Sequence, residues 1–255
     1  MPKGTIILAA GGTGGHMFPA QALAESLLVR GWQVILVTDQ RGNAFANEFP
    51  RGVQKLVLNI PNPWQGGKVG FFRSLFYLAI SLITLVRFCY RNKVDSMVGF
   101  GGYPSAASII VATILRIPLA LHEQNAVLGT VNRIFQSRAN LLIFGTNPVT
   151  KFQRKGKTLV LGNPIRESIL SVKPQDYSKI PLDTFLIFVV GGSQGANFVS
   201  SVSCNAIINL PLELKRKIRV AHQCREEDIL RIKKKYSESD VSSEIRSFFG
   251  DIPTY

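Results

Sequence analysis

A glycine-rich segment that ends in a histidine is the part of this chain best suited to chemistry. Residues 11–16 (GGTGGH) directly follow the apolar run at residues 6–10. Glycines let the backbone approach an anionic group because no Cβ stands in the way, and a helix predicted over residues 19–29 would turn its positive end towards the same loop. Because imidazole accepts a proton near neutral pH, His16 is a candidate general base beside an anion site.

Four further polar clusters stand at the ends of apolar runs or near predicted turns. They are 101–104 (GGYP), 122–125 (HEQN), 162–166 (GNPIR) and 191–196 (GGSQGA). In parallel sheets built from alternating strands and helices, ligands bind beyond the carboxyl ends of the strands. We therefore expect these clusters to face ligands.

Strands and helices alternate along the chain in a way that predicts a doubly wound parallel sheet. Near-continuous apolar strands are predicted at 6–10, 32–38, 95–100, 118–121 and 141–144. A second strand–glycine–helix unit begins with the strand predicted at 185–190. We predict an α/β protein with two Rossmann-like domains, at residues 1–164 and 165–255, and a ligand between them.

Positive charge is concentrated in the first domain. The formal net charge is +14, of which residues 1–160 carry +12 and residues 161–255 carry +2. This excess predicts an anionic neighbour, either nucleic acid or an anionic membrane surface, although a generally basic proteome would give a similar balance. The sequence shows neither a recognised nucleic-acid module nor basic residues interleaved with exposed aromatics, so no nucleic-acid partner is expected.

Of the two anionic neighbours, the apolar segment 71–91 favours a membrane surface. Arg73 and Arg87 bracket 13 uncharged residues, too few to span a bilayer, which needs about 20. A core helix beneath a sheet would explain part of the apolar surface, but a basic, aromatic-rich helix also fits partial insertion at a membrane interface. The residues predicted to insert, followed by those predicted to meet headgroups, are Phe72, Leu75, Phe76 and Leu82, and Arg73, Arg87 and Arg91.

Cys89, Cys204 and Cys224 are few, odd in number and without the spacing of metal ligands. They are predicted to be reduced thiols of a cytosolic protein, and neither a metal nor a cofactor is expected. A secretory signal is not expected either, because glycine-rich turn chemistry begins by residue 11, where an uninterrupted apolar region would be needed.

The loops at 11–16 with Pro19, 101–104, 122–125, 162–166 and 191–196 together resemble, in order and spacing, the loops of the MurG family. The resemblance covers essentially the whole chain. It implies a GT-B glycosyltransferase that moves GlcNAc, with inversion, from UDP-GlcNAc to lipid I (undecaprenyl-pyrophosphoryl-MurNAc-pentapeptide) in peptidoglycan synthesis. It also implies a peripheral protein on the cytoplasmic face of the bacterial inner membrane, with cell-wall or division proteins as further partners.

The same resemblance implies roles for individual residues. Donor contacts are carried onto Thr13, Gly14, Gly15, Asn125, Arg166 and Ser193, cleft positions onto Tyr103, His122, Glu123 and Asn132, and a backbone contact to uracil onto Phe249. The amides of Gly14, Gly15 and their neighbours would hold the acceptor diphosphate or face the donor sugar. Arg166 suits a diphosphate because its guanidinium offers a bidentate fork. His16 would be the base or would hold the acceptor diphosphate. His122 and Glu123 would take part in the chemistry or would orient their loop through hydrogen bonds.

Two departures from the family leave alternatives open. From Thr184 onwards the chain has 72 residues, fewer than the about 100–150 typical of such a domain, so the second domain is expected to be incomplete. Arg225 stands in 222–225 (HQCR), where the family has a glycine close after His-Gln. One alternative is therefore a catalytically impaired, membrane-docked binding remnant of the family. A nucleotide-dependent oxidoreductase is disfavoured because GGTGGH lacks Gly-x-Gly-x-x-Gly spacing.

Overall fold

The computed structural model describes residues 2–60, 67–148, 157–172, 184–191 and 197–250, excluding the side chains of 68, 69 and 71. The chain divides into two compact units, Met1–Leu170 (unit 1) and Ser171–Tyr255 (unit 2). The predicted domain boundary after residue 164 lies a few residues before this division.

Unit 1 is built on a parallel sheet, as the alternation of strands and helices predicts. Its strands are β1 Thr5–Ala10, β2 Gln33–Asp39, β3 Gln54–Leu58, β4 Ser96–Gly101, β5 Leu119–Glu123, β6 Leu141–Phe144 and β7 Lys157–Val160. They lie in the order β3-β2-β1-β4-β5-β6-β7, and every neighbouring pair is parallel. The sheet is therefore doubly wound, with the strand order reversing between β1 and β4.

Helices connect the strands of unit 1. They are α1 Gly14–Val29, α2 Gln40–Asn43, α3 Gly67–Asn92, α4 Tyr103–Leu115, α5 Thr130–Phe135 and α6 Glu167–Leu170, with 3₁₀ turns at Ala46–Glu48 and Gln136–Arg138. Pro104 lies in the first turn of α4, where an N–H would have no helical partner in any case.

Both faces of the unit 1 sheet are covered, which is why every residue of β1 is buried. On one face Ile7 packs with Leu85 of α3 and Ile109 of α4. On the other face Leu8 packs with Met17 of α1. Successive residues of the strand thus enter opposite core layers, and these layers hold the loops at the strand ends in place.

Unit 2 contains a three-stranded parallel sheet. Its elements are β8 Phe185–Val189, α7 Asn197–Ile208, α8 Leu212–Lys215, β9 Ile218–Gln223, a 3₁₀ turn Glu226–Asp228, α9 Ile229–Ser237 and β10 Ser242–Arg246. The strand order is β10-β9-β8, and β8 confirms the strand predicted at 185–190. Arg225 has φ −62° and ψ 152°, a conformation that any residue adopts, so this turn does not require a glycine.

A buried polar cluster occupies the core of unit 2. Nδ1 of His222 lies 2.8 Å from the Tyr236 hydroxyl, and Nε2 lies 2.9 Å from Oγ of Ser200. All three residues are buried. Burial lowers the pKa of His222 to about 4, because the charged imidazolium would lose its hydration. We call Ser200, His222 and Tyr236 the His222 cluster.

Candidate active site

A cavity of about 330 Å³ opens at the switch point of the unit 1 sheet. The chain leaves β1 towards β2 and leaves β4 towards β5, so the loops after β1 and β4 diverge and leave space between them. Six residues predicted for the site line this cavity, namely Thr13, His16, Tyr103, Glu123, Asn125 and Asn132.

The ring of His16 is held by one hydrogen bond, which leaves its other nitrogen, Nε2, without a partner in the described part of the chain. Its Nδ1 lies 2.9 Å from the carbonyl oxygen of Gly11. A carbonyl only accepts, so Nδ1 carries a proton and donates it, and in the neutral ring the lone pair is then on Nε2. Nε2 has no hydrogen-bond partner among the described residues, and His16 lines the cavity. This tautomer can take a proton from a bound hydroxyl.

Two glycines at the end of β4, Gly101 and Gly102, allow the loops after β1 and β4 to pack closely. A Cβ on Gly101 would lie 2.7 Å from Nε2 of His16, and a Cβ on Gly102 would lie 2.8 Å from the carbonyl oxygen of Gly11. Both glycines also have positive φ, 112° and 82°. Ser105 ties the loops together, since its Oγ donates to the carbonyl of Ala9 at 2.6 Å and accepts from the N–H of Gly101 at 3.0 Å.

Glu123 organises the loop that follows β5. Its Oε1 accepts from the backbone N–H and Nδ2 of Asn125 at 3.1 and 3.2 Å. Its Oε2 accepts from the N–H of Gly129 at 2.8 Å and from Nδ2 of Asn132 at 2.9 Å. The residue is only 2% exposed. The carboxylate therefore fixes the two asparagines that face the cavity.

Asn132 presents an acceptor that the protein does not use. Its Nδ2 donates to Glu123 and to the carbonyl of His122. Its Oδ1 is buried and has no hydrogen-bond partner among the described residues. A buried carbonyl oxygen without a partner is costly, so a substrate N–H or O–H would stabilise it.

His122 is buried and is not among the residues that line the cavity. Its Nδ1 accepts from Nε2 of Gln124 at 3.3 Å, and its Nε2 faces the carbonyl oxygen of Gly162 at 3.4 Å. Burial lowers the pKa of His122, although the Gly162 carbonyl and the Glu123 charge oppose that shift. The ring packs 5.4 Å from that of Phe100. His122 thus joins β5 to the segment that carries Gly162.

Arg41 lines the cavity, although the sequence analysis did not select it as a site residue. It follows β2, the strand next to β1, and its guanidinium bonds to Asp39 through Nε and Nη2 at 3.3 and 2.9 Å. Asp39 also accepts from the N–H groups of Gly12 and Gly42 at 3.3 and 2.8 Å. The Arg41 guanidinium carbon lies 5.8 Å from the ring centre of Tyr103.

The remaining predicted donor residues lie elsewhere. Gly14 and Gly15 form the first turn of α1, and a Cβ on Gly14 would lie 2.7 Å from the ring of Phe18. The guanidinium carbon of Arg166 lies over the Phe18 ring, 4.1 Å from the ring centre. Ser193 lies outside the described residues.

Phe249 belongs to unit 2 and its side chain is buried. Its ring packs edge-on against Phe188 with ring centres 5.2 Å apart, and the Arg246 guanidinium lies 5.0 Å from its centre. The Phe249 ring is therefore part of the packing of unit 2.

Helix α3 confirms the helix predicted at 71–91 and has one buried and one exposed face. Ser81, Leu85 and Cys89 are buried, and Leu82 is half-buried against the core. Burial raises the pKa of the Cys89 thiol to about 11. The exposed face carries the other predicted apolar residues and the three arginines, namely Phe72, Leu75, Phe76, Arg73, Arg87 and Arg91.

The stretch Phe72–Asn92 is long and apolar enough to cross a membrane by length and composition, with a mean hydropathy of 1.6. Its contacts show that it instead packs against the sheet of unit 1. A helix that covers a sheet with Leu85 and Cys89 keeps that face away from lipid. Only the opposite face is available to a membrane surface, where Phe72 is 68% exposed and Phe76 is 64% exposed.

Comparison with known proteins shows which family has this sequence and fold. The glycosyltransferase family 28 N-terminal domain matches residues 6–143. A protein of Agrobacterium fabrum (strain C58), named UDP-N-acetylglucosamine--N-acetylmuramyl-(pentapeptide) pyrophosphoryl-undecaprenol N-acetylglucosamine transferase, is 39% identical over 255 residues, which are 99% of this chain and 67% of that protein. A protein of the same name from Sinorhizobium medicae is 38% identical over 257 residues, with the same shares.

Solved structures show the same fold. The crystal structure of Acinetobacter baumannii MurG matches with a TM-score of 0.68 at 24% identity, over 99% of this chain and 70% of that one. The UDP-GlcNAc 2-epimerase of Neisseria meningitidis, bound to UDP-GlcNAc, matches with a TM-score of 0.64 at 14% identity, over 98% of this chain and 73% of that one. These likenesses confirm the α/β, GT-B type of fold that the resemblance implied.

The family model covers more than half of the chain, and the curated relatives align with nearly all of it. The chain spans about two thirds of the length of those relatives. The family match therefore agrees with the five loops on which the resemblance rested, three of which line the cavity. The chain belongs to the MurG family of glycosyltransferases.

Proposed function

We propose that this protein serves the transfer of GlcNAc from UDP-GlcNAc to lipid I, which forms lipid II, and that unit 1 holds the acceptor. The observation that carries the proposal is His16, whose Nε2 has its lone pair directed away from the Gly11 carbonyl and whose side chain lines the cavity. Inverting transfer to a sugar hydroxyl needs a base for that hydroxyl, and a neutral imidazole with a free nitrogen supplies it.

In this mechanism His16 accepts the proton of the acceptor hydroxyl at Nε2 while the hydroxyl oxygen attacks the anomeric carbon of GlcNAc. The bond from that carbon to the UDP oxygen breaks on the opposite face, which inverts the configuration. The hydrogen bond from Nδ1 to Gly11 stabilises the imidazolium that forms and fixes the ring direction. Ser105, Gly101 and Gly102 keep His16 in place.

His122 and Glu123 position this site in the proposed mechanism and do not exchange protons with substrate. Both oxygens of the Glu123 carboxylate accept hydrogen bonds, from Asn125 and Gly129 of the following loop and from Asn132 of α5. The ring nitrogens of His122 face Gln124 and Gly162. Asn125 and Asn132, which Glu123 orients, would contact the sugars, and the unpartnered Oδ1 of Asn132 would accept from one of them.

The proposal assigns the donor to Thr13, Gly14, Gly15 and Arg166, to Ser193 outside the described residues, and to the backbone of Phe249. Arg166 lies on Phe18, and a cation on an aromatic face is held without losing its hydrogen-bond donors. Its guanidinium can then form a bidentate contact with the UDP diphosphate as the negative charge of the leaving group develops.

The transfer assay uses residues 1–255 joined to the remaining third of the Agrobacterium fabrum relative, which we call the extended protein. With radiolabelled UDP-GlcNAc and a short-chain lipid I analogue, we expect labelled lipid II analogue and stoichiometric UDP. The 255-residue chain is assayed in parallel and shows how much of the activity it carries by itself. An extended protein that binds UDP-GlcNAc but transfers no sugar would contradict the proposal.

The same proposal places the exposed face of α3 on the cytoplasmic surface of the bacterial inner membrane. Phe72, Leu75 and Phe76 would enter the interface while Arg73, Arg87 and Arg91 meet anionic headgroups. Leu82, which the sequence analysis also predicted to insert, packs against the core and does not belong to this exposed face. Contacts with cell-wall or division proteins, which the resemblance implies, stay a prediction.

Vesicle co-sedimentation tests the membrane assignment. The double variant Phe72→Ser, Phe76→Ser should lose the binding that persists at high salt, because that part depends on apolar insertion, while the salt-sensitive part stays. Phe198→Ser is the matched control, since Phe198 is an exposed phenylalanine of unit 2. Equal binding of wild type to neutral and anionic vesicles would contradict the role of the arginines, and unfolding of the double variant by circular dichroism would show a structural role for the two rings.

A further inference from the structure

We infer that Arg41 binds the diphosphate of the acceptor, as a cation that Asp39 positions against the glycine loop after β1. The inference rests on the proposed function, in which the acceptor is a lipid-linked diphosphate. It adds a binding residue on the strand next to β1, outside the five loops of the sequence pattern.

Asp39 fixes the guanidinium at the edge of the cavity. It ends β2, and its side chain is 4% exposed, whereas that of Arg41 is 55% exposed. One carboxylate oxygen accepts from Gly12 and Gly42, and the other accepts from Nε and Nη2 of Arg41. The buried carboxylate thus joins Arg41 to the same loop that carries His16, and this fixes the distance between the cation and the glycine amides.

Arg41 keeps hydrogen-bond donors for a ligand. A guanidinium has five N–H groups, and Asp39 takes one from Nε and one from Nη2, which leaves three. The position that a Cβ would take on Gly12 lies 3.5 Å from Nη2. Because Gly12 has no side chain and φ 86°, this space stays open to an anion that touches both the loop and the arginine.

The exposed charge at this point of the cavity is positive. Among the described residues that line the cavity, Arg41 is the one arginine or lysine and Glu123 is the one carboxylate. Both carboxylates are buried: Glu123 accepts four amide N–H bonds from Asn125, Gly129 and Asn132, and Asp39 accepts two backbone N–H bonds and the two bonds from Arg41. The charge that faces the open part of the cavity is therefore the guanidinium.

Either substrate of the proposed reaction offers a diphosphate, and the position of Arg41 favours the lipid-linked one. Arg41, the cavity and the membrane-facing helix α3 all belong to unit 1. Helices α3 and α4 share one core layer, and α4 begins at Tyr103, whose ring lies beside Arg41. A diphosphate that enters from the membrane face would meet this arginine within the same unit.

Calorimetric titration of the 255-residue chain tests the inference without depending on sugar transfer. The probes are geranyl diphosphate, which carries a prenyl-linked diphosphate, and UDP, which carries the nucleotide-linked one. We expect Arg41→Gln to bind geranyl diphosphate about 10- to 100-fold more weakly, because charge-assisted bonds are lost. Arg41→Lys should bind about threefold more weakly, since it keeps the charge without the fork. Arg51→Gln, an exposed arginine of unit 1 outside the cavity lining, should match wild type.

Three results would overturn the inference. They are wild type that does not bind geranyl diphosphate, Arg41→Gln with wild-type affinity for it, and Arg41→Gln with weaker affinity for UDP alone. Should Arg41→Gln fail to fold, Arg41→Lys carries the test, and unchanged affinity in that variant overturns the inference. The two proposals can fail separately. If the extended protein transfers no sugar but still binds geranyl diphosphate in a way that depends on Arg41, the proposed function is contradicted and this inference is not.

Discussion

His16 in unit 1 and His222 in unit 2 both lie near the carboxyl end of a parallel strand, but their ring nitrogens are used in opposite ways. His16 donates through Nδ1 to Gly11 and keeps Nε2 for the cavity. His222 is buried, and both of its nitrogens face hydroxyl groups, those of Tyr236 and Ser200. A histidine at a strand end is thus reactive only where the protein leaves one nitrogen without a partner.

Removing the imidazole of His16 should have the largest effect. In the extended protein, His16→Ala should lower kcat by about 10²–10⁴-fold, because a general base contributes about that much. The KM for UDP-GlcNAc should change little, since His16 acts on the acceptor hydroxyl. Steady-state kinetics with both substrates varied measure this. An effect confined to the KM for the acceptor would show that His16 holds the acceptor diphosphate, which is the other role that the sequence left open.

Acid should destabilise unit 2 through His222. Its folded pKa of about 4 lies below the unfolded value of about 6.5, so the unfolded chain binds the proton more tightly. The stabilisation is complete above pH 6.5 and is lost as the pH falls towards 4, by about 3 kcal/mol. Urea unfolding followed by circular dichroism at pH 7, 5.5 and 4 measures it.

The control for this prediction is His222→Gln, which keeps hydrogen-bonding groups but does not titrate. The difference in unfolding free energy between wild type and this variant should shrink as the pH falls. A difference that stays constant from pH 7 to 4 would mean that His222 accepts its proton inside the folded protein, as an accessible histidine does.

A smaller effect is expected from crowding His16 without removing it. Gly101→Ala would place a Cβ 2.7 Å from Nε2 of His16, and the ring would have to move. We expect kcat of the extended protein to fall about 30-fold, since a shift of about 1 Å in a catalytic group costs up to about 100-fold. Gly31→Ala is the matched control, because Gly31 also has positive φ but its Cβ would meet nothing within 4 Å. Equal losses in both variants would assign the effect to backbone strain.

The sequence was sufficient for the buried strands of unit 1 and for the loops that follow them. Strands β1, β2, β4, β5, β6 and β8 were predicted because they are apolar runs that end in glycine or polar clusters. Strands β3, β7, β9 and β10 were not predicted. The edge strands β3, β7 and β10 contain polar residues and are largely exposed, so neither apolar continuity nor alternation marks them clearly. Strand β9 is central and buried, but its sequence IRVAHQ mixes polar and charged residues with the apolar ones.

The part of the site that the sequence could not supply depends on contacts between distant residues. Arg41 is one of many arginines in a basic chain, and only the pairing of β2 with β1 brings it to Gly12. The partners of His122 are equally non-local, since Gly162 is 40 residues away along the chain. Glycine patterns predict where a backbone bends, whereas the partner of a side chain follows from the order of strands in the sheet.

The central position of β1 also determines when unit 1 can fold during synthesis. Its neighbours are β2, at Gln33–Asp39, and β4, at Ser96–Gly101, so β1 gains its second neighbour only after about a hundred residues have been made. The apolar helix α3 is made in between and has no completed sheet to cover. Parallel pairing over such separations is slow and leaves apolar segments exposed. Nascent chains of this protein should therefore depend on a chaperone or on the membrane surface until β4 has emerged from the ribosome.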